Sequence, residues 1–310
     1  MRTLWRTTLS LLRQYPILWF PVVLAEFLNF HLRWLERLLQ HQLIHQLILW
    51  FSQTPSVLST APIHIQPTGP IMMKAALLTA PLEWSMRFLC TAVTVAALVA
   101  TAAILQSIAE TGSGTLRAAI APITSTRHRI LILSLQFCGL TILSTALIGL
   151  LSPLVFSIHS LQAYQGRPNL AGSFFSYLWV LPITLFVCYL IAPLQVRLLQ
   201  SPETTPAPDQ ARCARIVAIQ VALVICVFNP LIGVAENYIL LKPLLAFSLK
   251  YFLIEMFFSL IRYAPSALLF IAFYLISNPE SPLATPPDLP TGETAQLAEG
   301  PSPEVNPTEP

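Results

Sequence analysis

The sequence predicts an all-α fold, a polytopic integral membrane protein with about six transmembrane helices and short interfacial amphipathic helices. The 310 residues are 55% apolar and only 10% charged, whereas soluble domains carry about 25% charged residues. The apolar residues also occur in long runs. Because a helix needs about 20 apolar residues to cross the hydrocarbon core of a bilayer, these runs predict membrane spans.

Six segments reach that length and form a predicted membrane domain at residues 1–276. The spans lie at about 15–32, 86–109, 130–158, 172–198, 216–235 and 251–276. Four of them contain a charge-free run long enough to cross a bilayer. The first span contains Glu26 and the last contains Glu255 and Arg262, so these two carry charges at membrane depth.

Residues 33–51 follow the first span and repeat Leu and Ile at helical spacing, with charged and His residues between them. This pattern predicts either an interfacial helix or an extension of the first span beyond the bilayer, with Trp34 and Trp50 as interface anchors. The next segment, 52–83, contains a stretch rich in Pro, Ser and Thr and is predicted to be an exposed loop.

The last segment, 277–310, is predicted to be a disordered, acidic, Pro-rich tail. It repeats Pro, Thr, Ser and Glu and has few large apolar residues, and every Lys and Arg of the chain lies at or before Arg262. Such a segment buries too little apolar surface to offset the entropy lost on ordering.

The Lys and Arg residues predict the orientation in the cell membrane, because basic loops tend to stay in the cytoplasm. With the N-terminus inside, nine basic residues are cytoplasmic: Arg2, Arg6, Arg13, Arg117, Arg127, Arg129, Arg197, Arg212 and Arg215. Six lie on the opposite side: Arg33, Arg37, Lys74, Arg167, Lys242 and Lys250. Both termini of this multi-pass protein are therefore predicted to be cytoplasmic.

Three segments share a basic amphipathic stretch directly before an apolar run, at 6–20, 115–133 and 239–254. This layout predicts helices that lie in the membrane plane, with cations at the phosphate level. Six spans place the third segment on the opposite side from the other two. Two explanations remain open, a span count that is wrong by one and a chance recurrence of the pattern.

The layout of residues 9–276, and most clearly the stretch 230–252 (PLIGVAENYILLKPLLAFSLKYF), resembles a known membrane domain. This is the polytopic domain that accompanies some bacterial glycerophosphoryl diester phosphodiesterases and occurs alone in many uncharacterised membrane proteins. The resemblance implies a helical membrane domain and transfers no catalytic residue. No stretch has the length and polarity of the soluble phosphodiesterase barrel.

Four ionisable residues inside or beside the predicted spans are candidate functional residues: Glu26, Arg87, Glu255 and Arg262. Charged groups at membrane depth are costly and commonly functional. The alternative for Glu26 and Arg87 is that they lie near span ends and extend to the headgroups. Glu255 and Arg262 are two helical turns apart on one face, so they are predicted to line a polar seam or to pair with another helix.

The sequence contains no Walker loop, dinucleotide fingerprint, zinc-protease motif or CxxC pair. His41 and His45 have metal-ligand spacing, but no third ligand follows at a suitable distance along the chain. The prediction is a protein that is not an enzyme, with no cofactor and no metal. The predicted partner is the lipid bilayer, together with another membrane protein or a second copy of the chain, and not nucleic acid.

Three functions remain for such a protein, and the third of them, an intramembrane hydrolase, requires a nucleophile and a base that lie close together in the fold. The leading hypothesis is that it organises lipid or partner proteins through its basic in-plane helices. The alternative is a small transporter or channel subunit with a polar seam around Glu255 and Arg262, to which Asn229 and Gln220 would contribute. The alternative requires a continuous polar path between the spans.

Overall fold

A computed structural model describes residues 1–52, 69–143, 170–200, 206–240 and 249–284. These residues form helices joined by short turns and contain no strand, which confirms the all-helical prediction for this part of the chain. The helices are α1 (Arg2–Gln14), α2 (Phe20–Ser52), α3 (Gly69–Thr111), α4 (Arg117–Ser125), α5 (127–143), α6 (Leu170–Leu199), α7 (Pro208–Leu240), α8 (Leu249–Tyr263) and α9 (Pro265–Ser277).

Helix α9 lies at the centre of the described bundle. Its sequence is apolar on every side, and a helix of this kind is stable only when other elements surround it. Here α1, α3, α6 and α7 pack around it. Every residue from Phe270 to Ser277 is buried, including the large side chain of Phe273. The main hydrophobic core therefore forms around the last apolar helix of the chain.

The outer faces of the surrounding helices are apolar as well. Leu135 on α5 is 65% exposed, Phe186 on α6 is 61% exposed and Phe257 on α8 is 59% exposed. Large apolar side chains are scattered singly on soluble proteins, and the outward face of a soluble helix is polar. A bundle that is apolar both inside and outside matches a lipid environment.

Four helices among the described residues are long and apolar enough to cross a membrane: Thr79–Thr111, Leu181–Leu199, Pro208–Phe228 and Phe252–Ser277. They correspond to four of the six predicted spans. A fifth arises if α1 and residues 16–40 are counted together, although these two bend by 103° at their junction. The predicted span 130–158 lies partly outside the described residues, so the count of six stays a prediction.

The bend between α1 and α2 follows from Pro16. A residue before proline is kept out of the α region, and Tyr15 has φ −122° and ψ 82°. Helix α1 therefore ends at Gln14, and a 3-10 turn at Pro16–Trp19 leads into α2. Helix α2 then runs without a break to Ser52. Residues 33–51 therefore continue the helix that contains the first predicted span, and their position relative to the bilayer stays a prediction.

Two predicted boundaries were wrong. Helix α3 begins at Gly69, inside the predicted loop 52–83, because the strong helix formers Met, Ala and Leu dominate residues 72–78. The predicted tail from 277 also begins too early, because residues 278–284 fold back as turns. There Leu283 and Ala284 pack against the core. The rest of the tail, 285–310, lies outside the described residues.

Candidate functional site

Glu26 is a carboxylate buried between α2 and α8. Its side chain is 5% exposed. It accepts hydrogen bonds from the Arg33 guanidinium, two turns later on α2, and from the Ser259 hydroxyl on α8. Residues seven positions apart share a helix face, so α2 itself directs Arg33 to Glu26. The positive charge of Arg262 on α8 also attracts the Glu26 carboxylate.

Arg33 connects the two helices through several contacts. Its Nη2 lies 3.1 Å from the Ser259 Oγ, and its Nη1 donates to the Tyr263 hydroxyl at 3.2 Å. The guanidinium carbon also lies 5.3 Å from the centroid of the Tyr263 ring, within cation–π range. A buried charge is tolerated where it is both paired and hydrogen-bonded, and the half-buried Arg33 provides both for the buried Glu26 carboxylate.

A second ion pair continues this contact toward the C-terminal part of α2. Arg37 Nη2 lies 2.5 Å from Glu255 Oε1. We refer to Glu26, Arg33, Arg37, Glu255, Ser259, Arg262 and Tyr263 as the α2–α8 charge cluster.

Helix α3 covers another side of α2. Asn29 Nδ2 donates to Thr94 Oγ1 at 3.0 Å. Nearer the N-terminus of α3, Arg87 and Glu83 form an ion pair of 2.5 Å one helical turn apart. Polar contacts between apolar helices fix their register, and this register places the Glu83–Arg87 pair beside Glu36, in the middle of α2.

A cavity of about 360 Å³ lies between α2, α3 and α5. Both charged and uncharged side chains line it, and they are Arg33, Glu36, Glu83, Arg87, Cys90, Thr91, Phe137, Cys138 and Thr141. We call this space the charged cavity. It adjoins the α2–α8 charge cluster through Arg33, which belongs to both.

The opposite end of the bundle carries arginines in loops and helix ends. Arg129, at the start of α5, donates to the backbone oxygens of Arg197 at 2.7 Å and Gln200 at 3.2 Å. Trp5 on α1 donates to Gln220 on α7 at 2.9 Å. These contacts join α1, α5, α6 and α7 at this end, which we call the basic end. A second cavity, of about 570 Å³, lies here and includes Glu110 and Glu280 in its lining.

The structure brings Glu26, Glu255 and Arg262 together in one cluster and places Arg87 on the adjoining charged cavity. Gln220 lies apart, bonded to Trp5. The side chains of Asn229, His41 and His45 lie outside the described residues. Among the residues that are described, no group of three or more His, Cys, Asp or Glu is placed to hold a metal.

Sequence reasoning missed the partners Arg33 and Arg37, which it counted among the basic residues on the side opposite the cytoplasm. A signal was present, because Glu26, Arg33 and Arg37 are spaced by seven and four residues and share one helix face. That three-residue stripe predicts one charged side for α2. It does not reveal that the facing helix is α8.

Comparison with other proteins identifies no relative of this chain: no protein-family model, curated protein sequence or solved structure matches it. The resemblance to the membrane domain of glycerophosphoryl diester phosphodiesterases accordingly stays a prediction.

Proposed function

We propose that this chain is a non-enzymatic, multi-pass protein of the cell membrane that organises the membrane by binding anionic lipid at its basic end. The observation that carries the proposal is the 103° bend between α1 and α2. If α2 crosses the bilayer, a helix at this angle to it lies close to the membrane plane.

The surface of α1 suits that position. Its inner face packs Leu11 and Leu12 into the core, while Arg2, Arg6 and Arg13 are exposed on one outer face. Leu9, on the same face, is 55% exposed. An exposed face with cations and an apolar side chain is typical of interfacial helices, whose cations meet lipid phosphates.

Helix α4 repeats this arrangement at the same end. Arg117 is exposed, and Ile120 beside it is 63% exposed. With both helices on the anionic cytoplasmic leaflet, the basic end faces the cytoplasm and so do both chain termini. Each arginine near an anionic surface contributes about 1 kcal/mol of attraction, so α1 alone contributes about 3 kcal/mol through its three arginines.

The test uses the full-length protein in nanodiscs of phosphatidylcholine, with and without added phosphatidylglycerol. We expect phosphatidylglycerol to raise the thermal midpoint of the wild type and to have a much smaller effect on an Arg2→Gln, Arg6→Gln, Arg13→Gln variant. The matched control removes three charges that the sequence predicts on the opposite side, with Lys74→Gln, Arg167→Gln and Lys242→Gln, and should respond as the wild type does. An unchanged response of the α1 variant contradicts the proposal.

A small transporter or channel subunit is the second candidate, and the α2–α8 charge cluster favours it because ionisable groups at membrane depth commonly mark ion paths. The Glu255–Arg37 pair would have to open during transport. Proteoliposomes that conduct ions or take up solute in the wild type, and lose this activity in Glu255→Gln and Arg262→Gln variants, support this candidate. Wild-type proteoliposomes with neither activity argue against it.

A further inference from the structure

The charged side chains that line the charged cavity are two cations and two anions. Helix α2 contributes Arg33 and Glu36, and α3 contributes Glu83 and Arg87. Each helix therefore supplies one cation and one anion to the same space. A ligand with a single charge meets attraction and repulsion together, whereas a ligand with both charges finds a partner for each. The volume, about 360 Å³, falls within the usual range for sites of small ligands.

Two carboxylates, Glu36 and Glu83, line the cavity, and Glu36 is the one without an ion-pair partner among the described residues. Among the described residues it accepts a hydrogen bond from Gln40 at 3.2 Å and forms no ion pair. Glu83, on the opposite wall, repels Glu36 electrostatically, while Arg87, Arg37 and Arg33 attract it from farther away than hydrogen-bond distance. An ammonium group between the two carboxylates would relieve this repulsion and donate a hydrogen bond to each.

Arg87 is suited to the anionic part of the ligand. It contacts Glu83 through Nη2, and no other hydrogen bond of its guanidinium is seen within the described residues. A guanidinium presents five donors in a planar fork that matches phosphate and carboxylate oxygens. Because Arg87 and Glu83 lie one turn apart on α3, an anion at Arg87 and a cation at Glu83 lie within the span of one small molecule.

We propose that the charged cavity binds a zwitterionic group with a primary ammonium near Glu36 and Glu83 and a phosphate or carboxylate at Arg87. A primary ammonium fits better than a quaternary one, since quaternary groups are held by several aromatic rings and Phe137 is the aromatic side chain in the lining. An ethanolamine phosphate group has this chemistry, either free or as the headgroup of phosphatidylethanolamine.

The position of the charged cavity in the fold is compatible with a lipid headgroup as the ligand. Glu83 and Arg87 lie in the candidate span Thr79–Thr111, so the cavity is lined by a helix that is long and apolar enough to cross a bilayer. The lipid source rests on the membrane embedding proposed above, whereas binding of free ethanolamine phosphate does not.

The experiment uses the full-length protein in an uncharged maltoside detergent with four probes: phosphatidylethanolamine, phosphatidylcholine, phosphatidylglycerol and ethanolamine phosphate. Bound lipid is counted by native mass spectrometry, and the affinity for ethanolamine phosphate is measured by thermal shift. We expect phosphatidylethanolamine to bind more tightly than the other two lipids, and Glu36→Gln to weaken this binding by about tenfold or more. Glu110→Gln, in the second cavity, is the matched control and should bind as the wild type does.

If phosphatidylethanolamine binds tightly and free ethanolamine phosphate does not bind, the lipid headgroup is the ligand. Binding of both, each weakened by Glu36→Gln, identifies the zwitterionic group itself. Equal binding of all three lipids, or equal binding by wild type and Glu36→Gln, overturns the proposal. If Glu36→Gln lowers the thermal midpoint strongly, Glu36→Asp serves in its place, since it keeps the charge but shortens its reach and should bind with intermediate affinity. The response to phosphatidylglycerol at α1 is independent of Glu36, so this proposal and the proposed function fail separately.

Discussion

Arg37 and Glu255 are 218 positions apart in the chain, yet Nη2 of the first and Oε1 of the second are separated by 2.5 Å. Their contact joins α2, near the start of the chain, to α8, near the end of the described residues. The Glu255 side chain is 15% exposed and that of Arg37 is 46% exposed, so the pair lies at the edge of the α2–α8 charge cluster.

Reversing both charges of this pair should preserve the contact. Arg37→Glu and Glu255→Arg each place like charges together and should lower the thermal midpoint in detergent, whereas the double variant restores an attractive pair. We expect a coupling free energy of about 0.5–3 kcal/mol. Arg87→Glu combined with Glu255→Arg is the control and should show no rescue. Strictly additive effects of Arg37→Glu and Glu255→Arg would contradict the contact.

Glu26→Gln should destabilise the fold more than Glu83→Gln. Both substitutions remove the anion of an ion pair with Arg, but the Glu26 side chain is 5% exposed and that of Glu83 is 35% exposed. Removing one partner of a fully buried pair costs about 3–5 kcal/mol, and the cost here should be smaller because Arg33, which is left unpaired, is 33% exposed. Loss of an exposed pair costs up to about 1 kcal/mol. Denaturant unfolding of the detergent-solubilised variants measures the unfolding free energy that each substitution removes. Equal losses would show that the burial of the ion pair does not determine its contribution.

Gly112 and Gly139 should respond in opposite directions to alanine. Gly112 ends α3 with φ +74°, and an added Cβ would meet no atom within 4 Å, so the cost of Gly112→Ala is backbone strain alone, about 1–2 kcal/mol. Gly139 lies inside α5 and also has free space for a Cβ. Gly139→Ala should therefore stabilise by up to about 1 kcal/mol. A midpoint for Gly112→Ala that equals or exceeds the wild-type value would refute the left-handed turn.

Val224→Lys tests whether the outer face of α7 meets lipid. Val224 is 44% exposed and lies in the candidate span Pro208–Phe228. A Lys near the centre of a membrane helix costs about 2.5–3.5 kcal/mol of insertion free energy, whereas an exposed Lys on a soluble helix costs little. We expect the membrane-inserted fraction of Val224→Lys to fall, and that of the control Val224→Leu to match the wild type. Unchanged insertion of Val224→Lys would place this face in water.

Both termini should be cytoplasmic, because the basic end contains α1, and the C-terminal end of α9 lines the second cavity there together with Leu198 and Leu199. A reporter that is active only in the cytoplasm should work at either terminus. The control fusion, inserted in the segment 53–68 between α2 and α3, should be inactive. Activity of the C-terminal fusion in an extracytoplasmic compartment alone would reverse the orientation.

Local signals in the sequence were sufficient to predict the helices but not to predict which helices pack against each other. Pro16 breaks the chain between α1 and α2 by a rule that acts on adjacent residues, and the apolar run of α9 predicts a buried or membrane helix. By contrast, the pairing of Glu26 with Ser259 depends on how two distant helices pack. Nothing local to either residue specifies the other, so the sequence predicted Glu26 and Glu255 as candidates without their partners.

The Trp5–Gln220 hydrogen bond constrains the order in which the helices can reach their final positions. The two residues are 215 positions apart, and α1 also packs against α9, which is the last helix of the described chain. Helix α1 is synthesised before both of these partners, so it reaches its final position only after α9 has been synthesised. Until then, the face of α1 that packs against α9 lacks that cover, and a membrane surface offers it an alternative apolar contact.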